Sequence, residues 1–436
     1  MKTNHNKIVI INTSDISGGA AIAAYRLHLG LSRIGESSRM IVKNKMTSDE
    51  SVICAPYEIN DKKEFQNQVD YNNYISSHRT GLSDTLFSYP DPGYDLSKIP
   101  YVQKSDIINL HWICRYQSLL NLHNLFKLGT PVVWTLHDQW PFTGGCHYTA
   151  GCEKYRYDCS SCPQLTEDIF DLPSQVLKEK QRILKNANLT IVTPSQWLAK
   201  CAKESSLLGN FRIKVIPNSI DTEIFTPISK SVAKEKIGIK ANTITILFCA
   251  ERILKKRKGF QEFINAFLYC LSDTAFKDLV ESGRVKLLCI GDSNKNLNND
   301  NIPLIQIGHL NSEKDLREAY SAAEMFVLPS LEDNLPNTIL EAMSCGTPVV
   351  AFDVGGVPDI VSDNVTGRIV PKGDVTQLGE AILYMVVNSD RRKSMEKSCR
   401  NHIVDQYSLK KQAQQYTDLF NELKNVTKEK RLVGNL

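Results

Sequence analysis

The stretch PSLEDNLPNTILEAMSCGTPVVAFDVGGVPDIV, residues 329–361, constrains the fold of this chain more than any other part. A buried apolar strand ends where it begins, and Pro336 then stands at an early helical position, where its missing N–H costs nothing. Gly346 and Pro348 end that helix at Cys345, and PVVAFDV forms the next strand. Strand, helix and strand in this order predict one unit of a parallel α/β sheet.

Two acidic residues flank the start of this helix. Asp333 lies in the loop before it, and Glu341 lies eight residues later, more than one helical turn in. The free N–H groups of the first turn, at Asn337 and Thr338, point out between them with the positive end of the helix dipole behind. This arrangement predicts an anion site with a carboxylate on each side, which suits a sugar nucleotide. The alternative is that Glu341 caps the helix or pairs with a neighbour and Asp333 is a solvated loop acid.

The stretch resembles the signature of the retaining family-4 glycosyltransferases, which have the GT-B fold. That signature is Glu, seven residues, Glu, then Ala-Met-x-x-Gly-x-Pro-Val-Val and Gly-Gly-x-Pro-Glu. Asp333 stands at the first Glu position, so the carboxylate is kept on a side chain one methylene shorter. The resemblance implies an α/β protein with two Rossmann-like domains facing across a cleft. Residues 1–220 would form the acceptor-side domain, with a C-terminal helix, 406–425, crossing back to it, and residues 221–405 would bind the nucleotide sugar.

Composition limits the class of protein. A chain of 436 residues suggests two or three domains, and 42% hydrophobic with 23% charged residues is typical of soluble globular protein. The net charge of +4 is too small to indicate nucleic-acid binding. No apolar stretch approaches the length of a membrane-spanning helix. The first apolar run, residues 7–14, predicts a strand rather than a secretion signal, which favours the cytoplasm.

In the first half of the chain, glycine and histidine residues follow predicted strands and are candidates for ligand binding. Gly18 and Gly19 follow the first strand and let a backbone approach a ligand, although a tight turn also explains them. They do not form G-x-G-x-x-G, which disfavours an NAD site. His111 and His137 each close a buried strand, and ligands bind at the carboxyl ends of parallel strands. The resemblance implies that the glycines face donor phosphates or the acceptor, that His137 lies near the anomeric carbon, and that His111 lines the cleft.

Four of the 12 cysteines lie close together in the sequence, at Cys146, Cys152, Cys159 and Cys162. Cys159 and Cys162 have the spacing of two zinc ligands, but a second C-x-x-C is missing. Three interpretations stay open: a structural four-thiolate zinc site, two disulfides, which a reducing cytoplasm disfavours, or unligated thiols in an ordered loop. A catalytic zinc is not expected.

A basic loop opens the second half. Arg252 ends a strand, and KKRK, residues 255–258, precedes a helix. A charge run is usually a solvated face, but its place between a strand and a helix favours a ligand. The resemblance implies that Arg252 and Lys258 hold the donor diphosphate. Their spacing is one residue longer than is common, so Arg257 competes with Lys258 for the second role.

The resemblance also implies a reaction. The chain is expected to be a nucleotide-sugar-dependent, retaining glycosyltransferase of the hexosyltransferase type, building a bacterial-type surface polysaccharide such as capsule or lipopolysaccharide. Arg252 and Lys258 would stabilise the leaving diphosphate, together with the N–H groups at the start of the helix. Asp333 would orient the donor sugar, and His137 would steady its electron-poor ring. Glu341 would bind the ribose hydroxyls.

No cofactor and no catalytic metal are expected, since no Asp-x-Asp stands in a suitable loop. The expected partners are the donor and a glycan or lipid-linked acceptor, with peripheral contact at the inner face of the membrane and no nucleic acid. Two alternatives remain. A nucleotide-sugar epimerase of the same fold would turn over the donor without an acceptor, and a non-catalytic nucleotide-sugar-binding subunit would show no turnover.

Overall fold

The computed structural model describes residues 6–55, 62–90, 93–293, 297, 302–310 and 312–433. The chain forms two compact units, each with its own sheet. The first unit runs to Asn218 and takes in the C-terminal segment from Leu409, and the second runs from Ser219 to Ser408. No helix among these described residues is long and apolar enough to cross a membrane.

Parallel strands form the sheet of the first unit: β1 (Lys7–Ser14), β2 (Ser37–Asn44), β3 (Val52–Cys54), β4 (Ile107–Leu110), β5 (Val132–Thr135), β6 (Leu189–Thr193) and β7 (Arg212–Val215). Their order across the sheet is β3-β2-β1-β4-β5-β6-β7. The central strands are almost wholly buried, as parallel strands covered by helices on both faces are. The helices that connect them are α1 (Gly19–Arg33), α2 (Lys62–His78), α3 (Pro100–Gln103), α4 (Leu119–Lys127), α5 (Leu172–Leu184) and α6 (Gln196–Glu204).

The second unit repeats this plan. Its helices are α7 (Lys230–Lys236), α8 (Phe260–Cys270), α9 (Thr274–Glu281), α10 (Glu313–Ala322), α11 (Asn337–Ser344), α12 (Val357–Ile360), α13 (Val375–Val387) and α14 (Ser389–Gln406). Its parallel strands are β8 (Ile244–Arg252), β9 (Val285–Asp292), β10 (Leu304–Gly308), β11 (Met325–Leu328), β12 (Val349–Phe352) and β13 (Gly367–Val370). They lie in the order β10-β9-β8-β11-β12-β13.

The strand order reverses once in each sheet. The reversal lies between β1 and β4 in the first unit and between β8 and β11 in the second. In open parallel sheets, ligands bind outside the carboxyl ends of the strands at this reversal. The residues that follow these four strands are therefore the candidates for ligand binding.

The last helix, α15 (Leu409–Val433), belongs to the first unit although it follows the second unit in sequence. Its Tyr416 and Phe420 are buried in the same core as residues of the first sheet. The Tyr416 hydroxyl and the Thr135 hydroxyl, at the end of β5, lie 2.9 Å apart. The helix continues past residue 425, because neither Gly nor Pro interrupts the sequence before Gly434.

Candidate active site

The carboxyl ends of β8 and β11 meet at the strand-order reversal of the second unit. Arg252 ends β8, and a 3-10 turn, Lys256–Lys258, follows before α8. Gly259 joins this turn to α8 with a φ of 72°, and a Cβ there would lie 1.8 Å from the carbonyl oxygen of Pro329. Glycine at this position therefore lets the basic turn pack against the loop that follows β11.

Asp333 is the centre of an ion-pair network in that loop. Lys258 Nζ donates to Asp333 Oδ2 at 2.5 Å, and Arg257 Nη1 approaches the same oxygen at 3.3 Å. The other carboxylate oxygen accepts a hydrogen bond from the backbone N–H of Asn334 at 3.1 Å. Asp333 is only 6% exposed, so both cations hold its carboxylate where little solvent reaches it.

The two cations decide the protonation state of this network. Burial alone would raise the pKa of Asp333, but Lys258 and Arg257 outweigh it and hold the pKa below its ordinary value. Burial, and then the neighbouring Arg257, lower the pKa of Lys258, while Asp333 opposes them. Two cations therefore contact one carboxylate here. Both Arg257 and Lys258 reach Asp333, so both remain candidates for the second cationic position.

Gly355 fixes the backbone position of Asp333. Its φ is 55°, and a Cβ there would lie 1.6 Å from the Asp333 carbonyl oxygen. We expect Gly355→Ala to lower the free energy of unfolding of the second unit by at least about 2 kcal/mol, because a backbone clash adds to left-handed strain. Gly238→Ala is the matched control, since its φ is 72° and an added Cβ meets nothing within 4 Å. Chemical denaturation compares the two variants, and equal losses would contradict the clash.

Glu341 lies inside the second unit. It is 5% exposed and stands in α11 beyond the first turn. The Tyr320 hydroxyl, on α10, donates to Glu341 Oε2 at 3.0 Å. Burial raises the pKa of Tyr320 well above its ordinary value, so the phenol stays a donor. Tyr320 was missed from the sequence, because a tyrosine on the buried face of an ordinary helix gives no signal for a site.

The start of α11 is more open than its body. The helix begins at Asn337 with Pro336 as its N-cap, and Asn337 and Thr338 are half-buried, whereas the rest of α11 is buried. Arg252 is exposed at the end of β8. The structure thus brings Lys258 and Asp333 into contact, a few residues before the first turn of α11. The roles given to these residues from the sequence remain predictions.

In the first unit, the loop after β1 is tied to the loop after β2. The Asp15 carboxylate accepts hydrogen bonds from the backbone N–H groups of Met46 and Thr47, the shortest at 2.8 Å. Gly18 is the N-cap of α1 with a φ of 89°, and a Cβ there would meet nothing within 4 Å. Gly19 is exposed. The backbone conformation, rather than close packing, therefore favours glycine at position 18.

His111 and His137 contact each other after the ends of β4 and β5. His111 Nδ1 and His137 Nε2 lie 2.9 Å apart, and His111 Nε2 lies 3.0 Å from Asn109 Oδ1. The Asn109 amide nitrogen donates to the Val133 carbonyl, so its oxygen accepts, and we assign the His111 proton to Nε2. His137 then donates its Nε2 proton to His111. Burial lowers the pKa of His111 well below its ordinary value and that of His137 to about 4, so both rings are neutral at pH 7.

Asp138, directly after His137, forms a buried ion pair that the sequence did not indicate. His147 Nδ1 lies 2.6 Å from Asp138 Oδ2, and Trp112 Nε1 donates to the same oxygen at 2.9 Å. His147 Nε2 lies 2.8 Å from the Ser88 hydroxyl. Burial opposes both charges, but Asp138 raises the pKa of His147 to about 9, and His147 in turn lowers the pKa of Asp138. No motif marks the pair, because its members are nine residues apart in an irregular loop.

These histidines make the stability of the first unit depend on pH in two directions. His111 and His137 have lowered folded-state pKa values, so their contribution is present above about pH 6.5 and is lost as the pH falls toward 4. His147 has a raised folded-state pKa, so its contribution is full below about pH 6.5 and is lost as the pH rises through about 9. We expect the denaturant concentration at the midpoint of unfolding to be highest near neutral pH. Each unit of pKa shift changes the free energy of unfolding by about 1.4 kcal/mol. Tryptophan fluorescence measures it, and a midpoint that stays level from about pH 5 to about pH 9 would contradict the assignment.

The four clustered cysteines line one cavity in the first unit, together with residues such as Phe87 and Lys154. All four are free thiols, and Cys146 and Cys159 are buried whereas Cys152 and Cys162 are half-buried. Disulfides between them are therefore absent from this structure. In the part of the chain that the structure describes, no group of three or more His, Cys, Asp or Glu side chains stands in position to hold a metal ion.

Part of the second unit matches a known protein family, and named relatives match longer stretches of the chain. Residues 243–388 match the family model described as Glycosyl transferases group 1. Over 290 residues, the chain is 26% identical to an Escherichia coli K12 protein provisionally named as the colanic acid biosynthesis glycosyl transferase WcaC, with 64% of each chain covered. Over 226 residues, it is 29% identical to the Escherichia coli UDP-Gal:alpha-D-GlcNAc-diphosphoundecaprenol alpha-1,3-galactosyltransferase, covering 50% of this chain and 56% of that protein. The match spans less than two thirds of either relative.

Solved structures extend the likeness to the whole fold. Sucrose-phosphate synthase from Thermosynechococcus elongatus superposes with a TM-score of 0.64 over 95% of this chain and 98% of that one, at 18% identity. Identity this low shows the fold alone. The predicted α/β architecture, with parallel sheets in two units, is confirmed as the GT-B fold. The signature stretch lies within residues 243–388, the part of the second unit that matches the model for group 1 glycosyltransferases.

Proposed function

We propose that this protein is a retaining glycosyltransferase that moves a sugar from a nucleotide-sugar donor to a glycan or lipid-linked acceptor in bacterial-type surface polysaccharide assembly. The observation that carries the proposal is the contact of Lys258 and Arg257 with Asp333 at the strand-order reversal of the second unit. The start of α11 follows the same loop. Binding a diphosphate joined to a sugar needs three elements. They are cations, a carboxylate and helical N–H groups that are open to the ligand.

Donor binding would reorganise the ion-pair network. Lys258 now donates to Asp333, and a bound diphosphate would offer it oxygen atoms of higher charge. Lys258 would then turn to the phosphate together with Arg252, and the Asp333 carboxylate would accept hydrogen bonds from hydroxyls of the donor sugar. Neither charge is left without a partner before or after binding, so the exchange avoids the cost of an unpaired buried charge.

The reaction breaks the bond between the anomeric carbon and the diphosphate oxygen and forms a bond from that carbon to the acceptor oxygen. Negative charge grows on the diphosphate as it leaves, and Lys258, Arg252 and the N–H groups of Asn337 and Thr338 would stabilise it. In a retaining transfer, the acceptor attacks on the face from which the diphosphate departs. The departing oxygen is then the nearest base for the proton of the acceptor hydroxyl. Positioned donors and cations would supply the whole stabilisation, with no metal or cofactor.

His137 suits a place beside the donor sugar because it is neutral. The sugar ring gains positive charge as the diphosphate leaves, and a protonated imidazole would oppose that charge. Burial lowers the pKa of His137 to about 4, and its Nε2 proton is directed to His111. We propose that His137 contacts the donor sugar and that His111 orients it. The turn at Gly18 and Gly19 would receive donor phosphates or the acceptor.

The nucleoside end of the donor would be held by Glu341. Its carboxylate would accept hydrogen bonds from the ribose hydroxyls, with Tyr320 fixing one of its oxygens. The acceptor follows from the relatives rather than from this site. One relative is named as acting on a diphosphoundecaprenol-linked sugar. A lipid-linked acceptor of that kind would bring the enzyme to the inner face of a membrane by peripheral contact.

A panel of nucleotide sugars tests the proposal. One of them is expected to raise the unfolding temperature of the second unit in a dye-based assay, since a ligand that binds only the folded state stabilises it. That donor is then incubated with lipid-linked and free glycans, and the anomeric configuration of the product is read by NMR. Transfer with retained configuration supports the function. Donor turnover without any acceptor would indicate an epimerase, and binding without turnover to any acceptor would indicate a non-catalytic subunit; either result overturns the proposal.

A further inference from the structure

The segment between β5 and α5 is longer than a usual connection. Residues 136–171 contain no strand and only two 3-10 turns, although loops longer than about 15 residues are uncommon in compact domains. Much of the segment is nevertheless buried, including Gln164 and Leu165. Something besides regular secondary structure must hold it in place. Residues 144–165, which contain the clustered cysteines, are named the cysteine loop.

We propose that Cys146, Cys152, Cys159 and Cys162 of the cysteine loop bind one structural zinc ion. The four side chains line a single cavity of about 10 Å³, which is close to the space that one small, water-sized body occupies. Structural zinc sites are tetrahedral and are commonly made of four cysteine thiolates. The proposal does not rest on sugar transfer, because the ion would take no part in the reaction.

One buried and one half-buried cation would balance the charge of such a site. A zinc ion with four thiolates carries a net charge of −2. Lys180, which is 2% exposed, interacts electrostatically with Cys146 and Cys159, and Arg79 does so with Cys146 and Cys162. Both cations donate hydrogen bonds to backbone carbonyl oxygens. A tetrathiolate would add negative charge beside Lys180, which also interacts with Asp138, and beside Arg79, which also interacts with Asp84.

The backbone at the C-x-x-C turn is shaped for thiolate ligands. Cys159 has a φ of 56° and Ser161 a φ of 48°, and left-handed backbone costs about 1–2 kcal/mol at each such residue. The backbone N–H groups of Gln164 and Leu165 are directed at the Cys162 sulfur. A metal bond shared by the two cysteines of this turn would offset the strain.

Zinc binding requires the sulfur atoms to converge. As the side chains stand, no three metal-ligating groups of the described residues are in position to hold an ion. Each cysteine can move its sulfur through one χ1 rotation, and zinc–sulfur bonds of about 2.3 Å would fix the new rotamers. Cysteine binds zinc as a thiolate, so each thiol gives up its proton on binding. Zinc and four thiols therefore give the tetrathiolate and four free protons.

The ion would support the candidate site of the first unit indirectly. His147 lies in the cysteine loop and pairs with Asp138, which follows His137 in the chain. A loosened loop would withdraw the partner of Asp138. Removing zinc is therefore expected to lower the unfolding temperature of the first unit and to leave nucleotide binding by the second unit in place.

Metal analysis of the full chain, purified without chelator, tests the proposal. We expect about one zinc ion per chain, lost in Cys159→Ser and Cys162→Ser and kept in Cys54→Ser, an exposed cysteine of the same unit. If the serine variants do not fold, cobalt(II) is loaded into the chelated wild-type chain, where a thiolate-to-cobalt absorption band is expected. Absence of both stoichiometric zinc and that band would overturn the proposal. So would zinc retained by both serine variants, or disulfides among the four cysteines in the purified chain.

Discussion

Replacing Lys258 with alanine is expected to lower kcat/KM for sugar transfer by about 10²–10³-fold, which is the usual effect of removing one donor that stabilises developing charge. The loss should fall mainly on kcat, because the diphosphate gains charge as the bond breaks. Lys258 also neutralises Asp333 in the unliganded protein, with Nζ 2.5 Å from Oδ2. Arg257 reaches the same oxygen at 3.3 Å, so the variant keeps one partner for the buried carboxylate and should fold. Steady-state kinetics at several donor concentrations measure the effect.

Lys256→Ala is the matched control for this prediction. Lys256 lies in the same 3-10 turn as Lys258, carries the same charge and is exposed. A similar loss of activity in both variants would mean that net positive charge on the loop, rather than the contact made by Lys258, supports the reaction. If Arg257→Ala proved far more damaging than Lys258→Ala, the second cationic role would belong to Arg257.

Breaking the Asp138–His147 pair should give the largest loss of stability in the first unit. Asp138→Asn leaves a buried imidazolium without its partner, and removing one member of such a pair typically costs about 3–5 kcal/mol. The amide also weakens the acceptor for Trp112 Nε1. We expect the free energy of unfolding to fall by about 3 kcal/mol and the pKa of His147 to fall toward its ordinary value.

The double variant Asp138→Asn/His147→Gln decides whether the loss comes from the pair. Two neutral amides remove the unpaired charge, so the double variant should be more stable than the sum of the single changes implies. Tryptophan fluorescence isolates the first unit, because it contains all four tryptophans: Trp112, Trp134, Trp140 and Trp197. Additive losses would show that the two side chains act independently.

Sequence pattern was sufficient for the architecture, whereas the roles assigned to residues of the second unit stay predictions. The strand–helix–strand pattern around Pro336 is local, so it predicted α11 to within one residue at its C-terminal end. Arg252, Lys258 and Asp333 were identified because they follow strands, and in a parallel sheet the ends of strands converge at the ligand side. Which cations reach Asp333 depends on the close contact at Gly259, and sequence spacing does not contain that information.

The sequence could not predict side-chain contacts that no motif or periodicity marks. Tyr320 binds Glu341 from another helix, and the two are 21 residues apart. Asp138 and His147 meet only because an irregular loop folds back on itself. Neither pair has a periodicity or a spacing that distinguishes it from ordinary core or surface residues. The cysteine cluster is the opposite case, because its spacing was visible but did not decide among a zinc site, disulfides and unligated thiols.

The position of α15 has a consequence for how the protein is made. The first unit has left the ribosome up to Asn218 while about half of the chain is still to be synthesised. Its core lacks Tyr416 and Phe420 until translation is nearly finished, so apolar surface on the nascent sheet stays uncovered for that time. Chaperone dependence during synthesis should therefore fall if α15 is moved by circular permutation to precede β1, because the unit could then close as it emerges.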